Sequence, residues 1–187
     1  MRVKTRWNNK SKPHSIQDIA SAMGFNTWRI ACNGVLNLEN EGFQTDTQRQ
    51  RLDIIAEFLV FLIHTVDRLA YDKFNEDQRS ALVTALALNL VNTWVDNARD
   101  IEGPAEEDRR ADFIARLNEG MAEYAEMPFT EEGPGFAYLR LLGDRVAAVM
   151  GPKDNRWIMD QMMAIEAPDA IQTLRRVMRD LTAGLPA

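Results

Sequence analysis

Apolar residues recur along this chain at intervals of three and four, the spacing that places them on one face of an α-helix. No stretch alternates apolar and polar residues for long enough to indicate a β-strand. Caps, glycines and prolines divide the pattern into helical segments at 15–24, 27–40, 45–74, 75–103, 104–127, 139–149, 157–165 and 168–184. The sequence therefore predicts an all-α fold, a single-domain antiparallel bundle of about seven to eight helices around a long central hairpin.

The central hairpin is expected from the third and fourth segments, each about 25 residues long. The third is apolar almost all round, which is typical of a buried helix. Asn75, with Gln78 three residues later, forms a capping-box pattern that starts the fourth helix. The same pattern at Ser15 and Asp18 starts the first helix. A tight connection at Asn75 predicts that the two long helices lie side by side.

Each of these two long helices also carries a polar stripe. Glu57, His64, Arg68 and Tyr71 are separated by seven, four and three residues, with Asp67 at the edge. Asn89, Asn92, Asp96 and Arg99 repeat at three, four and three. Folding the hairpin about Asn75 brings the two stripes to similar levels, so we expect them to face one another in the interior.

Facing stripes of this composition admit three interpretations. Glu57, His64 and Asp96 are ligand types that bind Zn or Fe between the helices of a bundle. His64 is alternatively a general base beside an organic ligand, oriented by a carboxylate. The third interpretation is a buried structural network in which charges pair, Arg68 with Asp67 or Asp96. A di-iron bundle normally carries two Glu-x-x-His motifs, and this chain has none. The candidate ligand- or metal-binding residues are Glu57, His64, Asp67, Arg68, Asn92 and Asp96.

Residues 16–33 resemble a helix-turn-helix loosely, because Gly24 follows Ala20 at the spacing of the turn. In that arrangement Asn26, Thr27 and Arg29 would begin a recognition helix and contact DNA. Asn33 stands where an apolar residue is expected, and an ordinary helical corner is the alternative. The sequence thus offers a DNA-binding regulator as one hypothesis.

Charge is distributed unevenly over the 187 residues, whose net charge is −6. Residues 1–14 carry five basic residues and no acid, which leaves the remainder at about −11. We therefore divide the chain into a basic N-terminal arm, 1–14, and a single helical domain, 15–187. An acidic body makes nucleic acid an unlikely partner, since neutralisation of phosphates supplies most of that affinity.

Compartment and partners follow from what the sequence lacks. Cys32 is the single cysteine, the N-terminus has no apolar signal region, and no apolar run is long enough for a membrane span. These features indicate a cytoplasmic protein. Motifs of common enzymes are missing, whereas apolar helix faces are plentiful. We therefore expect function mainly through protein–protein contacts, with a second copy in a homodimer or with another protein.

Overall fold

The computed structural model describes residues 14–104, 106–151 and 155–183, which are helical almost throughout. The α-helices are α1 (Ile16–Asn40), α2 (Gln48–Ala70), α3 (Glu76–Glu102), α4 (Glu106–Ala125), α5 (Phe136–Met150), α6 (Asn155–Gln161) and α7 (Ala167–Thr182). A π-helical stretch, Met162–Glu166, joins α6 to α7, and β1 (Phe129–Thr130) pairs antiparallel with β2 (Gly133–Pro134). The all-α prediction is confirmed. The predicted basic arm, 1–14, lies outside the described residues except for His14.

The number of helices differs from the prediction of seven to eight. The first two predicted helices form one continuous helix, α1, and the last two are joined through the π-helical stretch. The described residues therefore form six continuous helices. At their starts, the capping boxes of Ser15 with Asp18 and of Asn75 with Gln78 are both present, as predicted.

Gly24, which predicted the end of a helix, and Pro168, which predicted the start of one, lie inside continuous helices for identifiable physical reasons. Glycine costs roughly 1 kcal/mol in a helix interior, a small amount against tertiary packing. Gly24 packs against α3, where an added Cβ would lie 3.5 Å from Asn89 Cβ. Proline lacks an N–H and its ring meets the carbonyl four residues earlier. Just before Pro168, the N–H of Ala167 bonds to the Met162 carbonyl five residues back, so the chain continues as a helix.

Helix α2 alone occupies the centre, which corrects the prediction of a central hairpin. It contacts α1, α3, α4, α5 and α7, and every residue from 56 to 66 is buried. Helix α3 buries only one face and packs most extensively against α1. No helix in the described ranges combines the length and apolar character needed to cross a bilayer.

Candidate functional site

Glu57 lies on the central helix α2 and is 5% exposed. Its Oε2 accepts a hydrogen bond from Arg145 Nε at 2.6 Å, and its Oε1 lies 3.5 Å from Arg116 Nε. Arg145 also donates to Glu123 at 2.6 Å, so the carboxylates of two helices hold one guanidinium. Burial alone would lower the pKa of Arg145, but the hydrogen bond and charge of Glu57 raise it. Glu57 thus forms a paired network between α2, α4 and α5.

His64 lies seven residues, about two helical turns, beyond Glu57 on α2. It is 2% exposed and belongs to a chain of hydrogen bonds. Its Nδ1 lies 2.9 Å from the Tyr138 hydroxyl, which lies 3.0 Å from Thr65 Oγ1. Thr65 donates onward to the Phe61 carbonyl at 2.8 Å. Burial, with a smaller contribution from Arg68, lowers the pKa of His64 to about 4. A neutral imidazole therefore donates to Tyr138, Tyr138 to Thr65, and Thr65 to the main chain.

The polar residues of α3 lie on the opposite side of that helix from its core face. Asn92 and Asp96 are exposed; Asn92 Oδ1 accepts from Arg110 at 2.8 Å, and Asp96 lies 3.4 Å from Arg99. The two stripes therefore do not face one another, which corrects the expected interior arrangement. The polar residues of α3 repeat at three and four residues because they form its solvent-facing side, opposite buried Leu86 and Leu90. Among the described residues, no three His, Cys, Asp or Glu side chains are grouped so as to hold a metal ion.

The residues expected to contact DNA lie along the unbroken helix α1, so the helix-turn-helix prediction is wrong. Thr27 is fully buried, and Asn26 donates to the Ala22 carbonyl at 2.8 Å. Arg29 is exposed, with its guanidinium 5.7 Å from the centre of the Phe25 ring. Without a turn at Gly24, α1 presents no separate recognition helix.

Asp67 and Arg68 follow His64 at the end of α2 and have different surroundings. Asp67 pairs with Arg79 at 2.7 Å. Arg68 donates from one terminal nitrogen to the Ala125 carbonyl at 3.0 Å, while its buried Nε has no hydrogen-bond partner among the described residues. A buried donor without a partner costs roughly 1–3 kcal/mol, so Arg68 has an unsatisfied capacity to bind an acceptor.

Arg68 lines an open cavity of about 710 Å³, which we call the basic cleft. The end of α2, the connection to α3, the β1–β2 hairpin and α7 form its walls. Ligand pockets in proteins commonly measure about 300–1,000 Å³. The lining residues are Arg68, Leu69, Tyr71, Asp72, Lys73, Phe129, Thr130, Glu131, Arg175, Met178 and Arg179.

The charge of the basic cleft is opposite to that of the whole chain. Four basic residues and two acidic residues line it, although the chain carries a net charge of −6. Among the described residues, no carboxylate lies within ion-pair distance of Arg68, Lys73 or Arg175, whereas Arg179 pairs with exposed Asp180. Elsewhere in the described chain most arginines contact carboxylates, namely Arg49, Arg51, Arg79, Arg99, Arg109, Arg116, Arg140 and Arg145. Arg29, Arg110 and Arg176 instead contact the Phe25 ring, Asn92 and Thr173.

Aromatic residues connect the basic cleft with the buried histidine. Phe129 lines the cleft, and its ring centre lies 5.2 Å from that of Tyr138, the hydrogen-bond partner of His64. Gly133, with φ at +135°, closes the hairpin that carries Phe129, and an added Cβ there would lie 3.3 Å from an Arg175 nitrogen. Tyr124 is fully buried in the same cluster, and within the described part of the chain its hydroxyl has no hydrogen-bond partner.

Of the predicted site residues, only Arg68 lines the basic cleft. The sequence carries only a weak signal for the cleft residues that were not predicted. Arg175 and Arg179 are four residues apart on the solvent side of α7, a spacing that any exposed helix face shows. Nothing local to Lys73 or Phe129 indicates that either lies near α7.

Comparison with known proteins adds no further assignment: the chain matches no protein-family model, no curated protein and no solved structure.

Proposed function

We propose that this chain is a binding protein for a small organic anion with an apolar part, held in the basic cleft. The observation that carries the proposal is the set of three cations, Arg68, Lys73 and Arg175, that have no carboxylate partner within the described residues of an acidic chain. Guanidinium groups bind carboxylates and phosphates through directed, charge-assisted hydrogen bonds. An anionic ligand would supply the missing charge.

The shape of the basic cleft supports a ligand with an apolar part rather than a bare ion. Leu69, Phe129 and Met178 contribute apolar surface, and Met178 is buried. The helix macrodipole explains cations in a last helical turn, as for Arg68 in α2 and Arg179 in α7. It does not explain Lys73 or Arg175, which lie outside those turns. Recognition of an anionic ligand accounts for all four basic residues that line the cleft.

The test is calorimetric titration with octyl phosphate, with inorganic phosphate and 1-octanol as separate probes for the charge and the chain. We expect octyl phosphate to bind one site with a Kd on the order of 100 μM, at least about tenfold tighter than either probe alone. Binding weakens as NaCl rises because exposed charges are screened. Equal affinity for 1-octanol and octyl phosphate, or no heat with octyl phosphate at 1 mM, would contradict the proposal.

A homodimer is the second candidate, and an exposed apolar line on α1 favours it. Phe25 and Leu36, each about half exposed, are eleven residues apart and so fall within about 20° on the helix. Leu88, also exposed, lies on α3, which packs against α1. A second copy packed against these two helices would cover such exposed apolar side chains. We also propose that the protein is cytoplasmic and that residues 15–187 form a single domain.

Light scattering coupled to size exclusion tests the dimer. At 50 μM we expect twice the monomer mass for the wild type and monomer mass for Leu36→Glu. Ile114→Glu, an exposed apolar position on α4, is the matched control and should remain dimeric. A wild-type protein of monomer mass at 50 μM would remove this candidate.

A further inference from the structure

A second, smaller cavity of about 200 Å³ lies between α1 and α7. It holds Glu166 together with Asn33 and Asn37 of α1, the Phe58 ring of α2, and Asp169 and Thr173 of α7. These residues are different from those of the basic cleft. At about 30 Å³ for each water-sized group, the cavity has room for a ligand of about six or seven non-hydrogen atoms.

Glu166 is a buried carboxylate without a cationic partner. It is 3% exposed, and in the described part of the chain no basic side chain forms an ion pair with it. Asn37 donates to its Oε2 at 3.2 Å and Gln161 to its Oε1 at 3.0 Å. Both donors are neutral amides, whereas buried Glu57 has two arginines. Because an uncompensated buried charge is costly, a bound cation would supply the charge that these neutral amides do not.

The other walls of the cavity suit a cation. Phe58 forms the inner wall of the cavity, with its side chain fully buried. Gly34 lets this ring lie close to α1, since an added Cβ there would lie 2.6 Å from Phe58 Cζ and displace the ring. The side chains of Asn33 and Thr173 supply neutral oxygen acceptors, and Asp169 adds a second negative charge at an exposed position.

An organic ammonium ion fits these walls better than a metal ion. The described residues contain no group of three His, Cys, Asp or Glu that could hold a metal, whereas a carboxylate surrounded by neutral oxygens supplies acceptors for the N–H groups of an ammonium ion. Glu166 is also the last residue of the π-helical stretch, a distortion that is frequent at functional sites. We propose that this cavity binds a small organic ammonium ion through Glu166.

The experiment measures the melting temperature of the full chain with n-butylammonium chloride, with 1-butanol and sodium chloride as controls for the alkyl chain and the salt. With a Kd on the order of 1 mM, 10 mM n-butylammonium should raise the Tm by about 3–5 °C. Neither control should raise it by more than about 1 °C. A rise that 1-butanol or sodium chloride reproduces overturns the proposal, as does no rise with n-butylammonium.

Substitutions test whether the n-butylammonium rise in Tm depends on Glu166. Glu166→Gln keeps the size of the side chain and should abolish the n-butylammonium rise, whereas Asp180→Asn, an exposed position near the end of α7, should retain it. Glu166→Gln changes a buried residue and could fail to fold, so Asp169→Lys provides a second test at an exposed position. The new lysine places a tethered ammonium group beside Glu166. It should also abolish the rise. If Glu166→Gln and Asp169→Lys both fold and respond like the wild type, the proposal is wrong.

Discussion

The protonation of His64 depends strongly on its surroundings, and this dependence gives a prediction near physiological pH. Its pKa in the folded protein, about 4, lies below the ordinary value of 6.5 because of burial and the charge of Arg68. The unfolded chain therefore binds a proton between these values and the folded chain does not. The stability that neutral His64 contributes is complete above pH 6.5 and is lost as the pH falls toward 4, by on the order of 3 kcal/mol.

Urea unfolding at pH 7 and pH 4.5 tests this for the wild type and for His64→Gln. Removing the imidazole should reduce the loss of unfolding free energy between the two pH values by about 2–3 kcal/mol. Tyr138→Phe, which removes the hydroxyl but keeps His64 buried, should lower stability at both pH values and keep the wild-type difference. A pH dependence unchanged in His64→Gln would show that His64 is not the group responsible.

Burial also distinguishes Glu57 from Asp96, two carboxylates on the two polar stripes that were expected to face one another. Glu57→Gln leaves Arg145 half-buried with a weaker set of partners, so we expect a loss of about 2–4 kcal/mol in unfolding free energy. Asp96→Asn changes an exposed pair and should cost less than about 0.5 kcal/mol. Both values come from urea denaturation at pH 7. Equal losses in the two variants would contradict the placement of the two side chains.

At the scale of helices, the neighbouring helix leaves no room for a side chain at Gly120 but does leave room for one at Gly24. An added Cβ at Gly120 of α4 would overlap Val60 Cγ1 of α2, whereas at Gly24 it would make ordinary contacts with α3. Gly120→Ala should therefore destabilise the protein by about 1–3 kcal/mol through overpacking. Gly24→Ala should be neutral or stabilise it by up to about 1 kcal/mol through helix propensity. Thermal unfolding compares the two, and a stabilised Gly120→Ala would contradict the packing of α4 on α2.

Local signals predict some helix boundaries and miss others. The capping boxes at Ser15 and Asn75 depend on residues three positions apart, so the sequence alone reveals them. Gly24 and Pro168, which predicted the end of one helix and the start of another, mark no break because helix packing and a π-turn accommodate them. The same limit applies to the polar stripes, since periodicity identifies a polar face but does not say whether it meets another helix or solvent.

At the scale of the whole molecule, the basic cleft depends on segments that are distant in the sequence. Lys73 follows α2, Phe129 lies in the hairpin after α4, and Arg175 is on α7. Only the packing of α7 and the hairpin beside the end of α2 brings them together, so no local pattern predicts the cleft. The net charge of the chain even conceals it, because a basic surface lies on a protein with an excess of acidic residues.

The measurement that tests anion binding in the cleft most directly compares Arg175→Gln with Arg176→Gln by octyl phosphate titration. Both arginines are exposed neighbours on α7, but only Arg175 lines the basic cleft, whereas Arg176 contacts Thr173. We predict that Arg175→Gln weakens binding about tenfold or more, the effect of losing one charged hydrogen bond, and that Arg176→Gln changes it less than about twofold. Equal effects of the two substitutions, or none at Arg175, would contradict ligand binding in the basic cleft.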